Sequence, residues 1–208
     1  MNISARSMSR NFTIAVLAIG VLTAFTASDA LKALQEKFQA GGVFRAEMDH
    51  SYRDSFTGET TVTKGTIWLA KDGYKVETAD QTILVHKGTS RVYNRSRKQL
   101  ILSDYRPEED DFAPSRFFDN DGSAFTATDR VVEGRTSIQI KFTDPFDLLR
   151  SATIQIGTGG MPLSIAAEDQ ADNRMTTRFN SGRFQADSIG VFRINLPAGI
   201  ELIDLREN

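Results

Sequence analysis

The sequence predicts a mainly β fold: a meandering antiparallel sheet, led by one amphipathic helix and interrupted near its middle by one or two short helical turns. Three observations carry this. Apolar and polar residues alternate with period two over many short runs. Turn signals such as Asp72-Gly73, Lys87-Gly88 and Gly157–Gly160 separate those runs. Clear helical spacing is confined to one stretch near the start.

Composition narrows the class. The chain has 208 residues, 40% hydrophobic and 25% charged, which suits a single globular domain. A formal net charge of -2 gives no reason to expect nucleic acid as a partner. There are no cysteines. Disulfides, Cys-ligated zinc, thiol catalysis and attachment of a lipid to the chain itself are therefore all excluded.

Residues 1–28 read as an export leader. Arg6 and Arg10 form a positive start, Phe12 to Phe25 is an apolar run, and the small residues Thr26, Ala27 and Ser28 follow. That run is short for a membrane-spanning helix. Removing residues 1–28 takes away two of 25 basic side chains and none of 27 acidic ones, leaving a net of -4. The expected destination is the periplasm, and residues 29–208 are expected to form one domain.

The elements follow in order. Asp29 to Ala40 places Leu31, Leu34 and Phe38 on one helical face, with Asp29 as N-cap and Gly41-Gly42 as the stop. The first strand sets Phe44, Ala46, Met48, His50 and Tyr52 on one face and Arg45, Glu47, Asp49 and Ser51 on the other. Val62 to Ala70 is the second strand. Its Ile67, Trp68 and Leu69 are apolar on both faces, which predicts cover on both sides. Short strands follow at Tyr74–Thr78, Gln81–His86, Arg91–Asn94 and Gln99–Leu102.

Pro107 to Pro114, with Glu108, Glu109, Asp110 and Asp111 in a row, reads as a solvated loop. Ser115 to Phe118 reads as a short helical turn, and Asp119–Gly122 as a polar turn that lacks the spaced acids of a calcium loop. Alternation resumes with Ile138, Ile140 and Phe142, then Ala152, Ile154 and Ile156, then Leu163, Ile165 and Ala167, and then Met175, Thr177 and Phe179. The run Val191–Leu196 is strand-like. A sheet of roughly ten such strands with one apolar face must curl or be covered. If helices only partly plug it, an apolar hollow remains; a fully packed barrel core would give the same alternation.

Catalytic chemistry is not visible. The two histidines, His50 and His86, share no motif, and no metalloprotease, serine-hydrolase or phosphate-loop signature is present. Trp68 reads as a core residue. The distinctive feature is apolar: twelve of the 14 phenylalanines lie outside the leader. No enzyme, cofactor or metal site is expected.

Several segments together resemble the LolA family of periplasmic lipoprotein carriers. Phe44-Arg45-Ala46-Glu47-Met48 is similar to the family's first strand. Gly65-Thr66-Ile67-Trp68-Leu69 is similar to its glycine–tryptophan segment. Ile83-Leu84-Val85, Gly88 and Val92-Tyr93-Asn94 follow in the family's order. So do Met161-Pro162 to Ala167 with the acidic turn Glu168-Asp169-Gln170, and the closing Leu196-Pro197-Ala198-Gly199-Ile200. The sequence departs from the family after Trp68, where Lys71-Asp72-Gly73 replaces a segment with a lid-locking arginine, and at Val92, where a tryptophan is usual.

The resemblance implies a half-open antiparallel β-barrel whose mouth is covered by the N-terminal helix and short central helices. It implies a carrier that binds the acyl chains of lipoproteins released from the inner membrane and ferries them to the outer membrane. An inner-membrane ABC lipoprotein exporter would load it, and an outer-membrane acceptor would unload it. Lys71 is the candidate lid latch, although it lacks the planar donor fork of arginine. By strand phase, the acyl-chain cavity would be lined by Phe44, Met48, Ile67, Leu69, Ile83, Val85, Ile138, Ile140, Phe142, Ile154, Ile156 and Phe179. A periplasmic lipid- or protein-sensing regulator on the same half-barrel is the rival reading. Nothing in the sequence signals oligomer formation, so a monomer is expected.

Overall fold

A computed structural model of the chain describes residues 28–107, 110, 117, 124–186 and 190–206. The apolar leader, most of the central acidic run and, apart from Phe117, both central turns lie outside the described residues.

Helix α1 spans Asp29–Gln39. Its cap is Ser28 rather than Asp29: the Ser28 hydroxyl accepts the Leu31 N–H at 2.9 Å, and Asp29 sits in the first turn. Leu31, Leu34 and Phe38 form its buried stripe. The helix stops at Gly41, whose φ of 80° is in the left-handed region that glycine adopts without a steric penalty.

Twelve strands follow: β1 (Gly42–Arg53), β2 (Thr60–Ala70), β3 (Gly73–Thr78), β4 (Gln81–His86), β5 (Thr89–Asn94), β6 (Gln99–Asp104), β7 (Phe125–Val132), β8 (Arg135–Phe142), β9 (Leu149–Ile156), β10 (Pro162–Asp169), β11 (Arg174–Ala186) and β12 (Glu201–Asp204). All belong to one sheet in the order β12-β6-β5-β4-β3-β2-β1-β11-β10-β9-β8-β7. The sheet is open, with β12 and β7 as its edges. Each β1–β11 neighbour pair is antiparallel, and β12 alone runs parallel to its partner β6.

The predicted fold class is the observed one, with three corrections. Among the described residues there are twelve strands rather than about ten, because β7 is not visible as a run of alternation. Val191–Leu196 is not a strand, although its β-branched and aromatic composition resembles one. The last strand is Glu201–Asp204 instead. Since β11 lies beside β1 and β12 beside β6, the chain between them must traverse the width of six strands. Phe192 stacks on His86 with ring centroids 4.9 Å apart, which sets this strap on the face opposite α1.

The two faces of the sheet therefore have different cover. Beneath α1, residues from β1 to β4 and from β7 to β11 join one apolar cluster. On the other face lies a smaller buried group that includes Val43, Lys75, Leu84, Tyr93 and Leu100. This double cover is what the apolar residues on both faces of β2 predicted.

Candidate functional site

The inner face is built by register. Phe44 pairs with Leu69, Leu69 with Tyr74, and Tyr74 with Val85, so one row crosses four strands. Ala46, Ile67, Val76 and Ile83 form the next row. On the far half, Ile138 pairs with Ile154, and Ile154 with Ile165. Side chains two apart along a strand share a face, so these rows add up to one apolar surface.

The structure brings all twelve sequence-predicted lining residues into that surface. Ten are buried, and Ile83 and Phe142 are half-buried and packed against the rest. Phe44, Ile67, Ile138 and Ile154 have 0% exposure. Phe44 meets Phe179 edge-on at 5.4 Å, and Phe142 meets Phe125 at 5.6 Å. The strand-phase reading omitted others that share the surface: Tyr74, Val76, Leu149, Met175 and Phe117. Val76 and Tyr74 could have been found, since they share the phase of their neighbours across β2 and β4. Phe117 could not, because it comes from the central segment and carries no strand pattern.

Two elements lie over this surface. The stripe of α1 joins the same cluster, and Phe38 meets Phe184 edge-on at 5.2 Å. Polar contacts hold the helix at both ends. The Ser28 hydroxyl donates to Asp129, and the Lys37 ammonium donates to the Gly159 carbonyl. The central segment contributes Phe117, whose carbonyl accepts from Gln35 Nε2 at 2.9 Å. It also contributes Asp110, whose carboxylate accepts from both the Tyr74 and Tyr105 hydroxyls, each at 2.9 Å. Lys71 stands exposed in the β2–β3 turn. Hydrogen bonds to the central segment thus come from Tyr74, Tyr105 and Gln35, and Phe142 meets the Phe117 ring edge-on at 6.4 Å.

The remaining candidates have structural surroundings. His50 Nδ1 lies 2.9 Å from the Thr177 hydroxyl on the paired strand. His86 Nδ1 lies 3.8 Å from the Asp72 carboxylate, beneath Phe192. Trp68 is half-buried on the outer face between two cations, with Lys75 Nζ at 4.2 Å and Arg45 Cζ at 5.5 Å from its ring centroid. A shallow depression of about 200 Å³ opens between β9, β10 and β11 beside Ser151, Thr153, Ala166 and Thr176. By strand phase those four side chains belong to the outer face, while Ala152, Ala167 and Met175, which also line the depression, belong to the apolar cluster or pack against it. Among the described residues, no group of three or more His, Asp or Glu side chains is placed to hold a metal ion.

An open β half-barrel whose apolar inner face is covered by a helix is the class of protein these features define. Solved structures are similar to this chain at very low sequence identity. An uncharacterized conserved protein from Thermus thermophilus is 6% identical, with a TM-score of 0.54, over 85% of this chain and 99% of that one. A LolA superfamily protein from Nitrosomonas europaea is 10% identical, with a TM-score of 0.47, over 82% and 99%. A Vibrio parahaemolyticus domain, provisionally named for outer membrane lipoprotein sorting, is 12% identical, with a TM-score of 0.44, over 78% and 93%. No family model and no curated protein matches the chain.

Proposed function

We propose that this chain is a periplasmic carrier, delivered by an N-terminal leader that ends before the helix cap Ser28. Its folded domain takes up the acyl chains of lipoproteins released from the inner membrane and ferries them to the outer membrane. An inner-membrane ABC exporter loads it and an outer-membrane acceptor unloads it. The work is reversible binding, with no covalent chemistry. The sequence segments shared with the LolA family support this reading.

One observation carries it: among the described residues, the apolar inner face is covered by helix α1 and Phe117 of the central segment rather than by a second sheet. Helix α1 covers that face with three buried side chains and is tied to the sheet by polar contacts at its two ends. Exposing each such side chain costs about 1.5–3 kcal/mol, and each buried methylene returns about 0.8 kcal/mol. An acyl chain of about a dozen carbons therefore offsets the release of all three. The twelve residues from Phe44 to Phe179 would then face acyl chains instead of the helix. A helix can leave in this way at modest cost, whereas removing a hydrogen-bonded sheet would unfold the protein.

The test is titration of the processed protein with a triacylated lipopeptide, read by displacement of an apolar dye, beside the same peptide without acyl chains. Saturable displacement that requires the acyl chains is expected. Phe142→Glu, at a half-buried position, should lose displacement while keeping a cooperative melt. A Ser28→Cys/Asp129→Cys pair, in a chain with no other cysteine, should lose binding when oxidised and regain it when reduced. Failure of both peptides to displace dye would overturn the carrier reading and favour a protein-sensing regulator on the same half-barrel.

A further inference from the structure

Two phenylalanines stand almost wholly in solvent, Phe56 at 96% and Phe146 at 94% exposure. They lie at the same end of the sheet, on the β1–β2 and β8–β9 loops. Strands β1, β11, β10 and β9 are successive neighbours, so the two loops are about 14 Å apart at the usual strand spacing. The β10–β11 loop bridges them. The Ser55 N–H donates to Asn173 Oδ1 at 2.9 Å, the Ser55 hydroxyl donates to the Ala171 carbonyl at 2.6 Å, and Gln170 Nε2 donates to the Asp147 carbonyl at 3.2 Å.

Each ring is presented by the same device. The Phe56 N–H donates to Asp54 Oδ1 at 2.9 Å, and the Phe146 N–H donates to Asp144 Oδ1 at 2.8 Å. An aspartate two residues ahead, bonded to the backbone in this way, fixes a turn. These tips are therefore held outward by ordered turns and cross-loop bonds. Isolated exposed apolar side chains are ordinary; two nearly bare phenylalanines on linked, ordered loops at one end are not.

The surroundings indicate what covers them. Residues 53–60, 143–150 and 168–174 together hold seven acids and three arginines, a net of -4. The ground between the tips is polar, formed by Gln170, Asp172 and Asn173. A protein interface of ordinary strength has a contiguous apolar centre, which is missing here. A bilayer accepts separate apolar tips without a matching pocket, and the acidic surround repels anionic headgroups.

We propose that this end of the sheet docks on neutral, zwitterionic bilayer surface, with Phe56 and Phe146 entering at the level of the headgroups. The proposal does not depend on the carrier reading and concerns a different face of the molecule. The test is co-sedimentation of the processed protein with sucrose-loaded phosphatidylcholine vesicles, since the apolar leader would itself bind lipid. Wild type should sediment with these vesicles. The Phe56→Ser/Phe146→Ser variant should lose at least about tenfold in partitioning, with an unchanged melting temperature. Replacing a third of the lipid by phosphatidylglycerol at low salt should weaken wild-type binding. Equal partitioning of wild type and variant, absence of sedimentation, or stronger binding to the anionic vesicles would overturn the proposal. Absence of sedimentation would direct the search to a protein partner for the same tips.

Discussion

The Ser28 hydroxyl donates to the Asp129 carboxylate while accepting the Leu31 N–H, so one side chain both caps α1 and ties it to β7. The second Asp129 oxygen accepts the Ala30 N–H at 3.0 Å, adding negative charge at the helix N-terminus. Ser28→Ala is expected to destabilise the protein by about 1 kcal/mol in urea denaturation. Asp129→Ala should cost a similar amount, and the double variant less than the sum, because the two share one network. A chain processed after Ala27 keeps the cap and one processed after Ser28 loses it. Sequencing of the exported protein should therefore find Ser28 retained.

Lys75 is a buried cation on the outer face, with its ammonium over Trp68 and 3.1 Å from a Glu77 carboxylate. Its aliphatic stem is buried with it. Lys75→Ala is expected to cost about 2 kcal/mol, from lost cation–π attraction and lost packing. Lys75→Met keeps the stem and should cost less than about 1 kcal/mol. Trp68 is the only tryptophan, so its emission reports both the unfolding curve and the local change. Equal losses in the two variants would remove packing from the explanation.

Gly65 marks a close approach of two backbones. A Cβ added there would lie 2.3 Å from the Glu77 carbonyl oxygen, a distance that no side-chain adjustment relieves. Gly65→Ala should push β3 away from β2 and cost about 2–3 kcal/mol, measured by thermal or urea unfolding. A loss below about 0.5 kcal/mol would mean that the strands separate freely at this point.

Acid sensitivity has a readable site in β12. The guanidinium of Arg206, hydrogen-bonded to the Asp204 carboxylate, lowers its pKa from 3.8 to about 2, and the Arg206 backbone N–H adds to the effect. A lowered carboxylate pKa stabilises the folded state above the ordinary value. That contribution is present above pH 3.8 and is lost as pH falls through about 2. Carboxyl NMR should show this midpoint, and Arg206→Ala should raise it toward 3.8. An unchanged midpoint in the variant would exclude the ion pair as the cause.

Much of the inner face was legible because a strand's side-chain period is two and a buried face leaves a regular trace. Ile138, Ile140 and Phe142 in β8, and Met175, Thr177 and Phe179 in β11, could be assigned to one side from alternation alone. Strand β7 was not legible, since Asp129 serves the α1 cap and Val131 is 77% exposed. A distant partner sets the role of Asp129, and exposure leaves Val131 outside the core, so the local pattern is blurred at both. The strap of Val191–Leu196 has strand-like composition, but it lies across the outer face, where Phe192 packs on His86. Composition records that a segment is half-buried, not whether a neighbouring backbone is free to pair with it.

The sequence by itself determined the class of fold, the phase of most strands and the apolar character of one face. These depend on period and turn chemistry, which are local. Only the tertiary structure decided that Ser28 is tied to Asp129, that Tyr74 and Tyr105 share Asp110, and that Phe56 and Phe146 share one rim. Each of those relations joins residues through the order of strands in the sheet. That order places β1 beside β11 and β6 beside β12. It is set by which long-range pairings together bury the most apolar surface with every backbone group hydrogen-bonded, and no single segment carries that information.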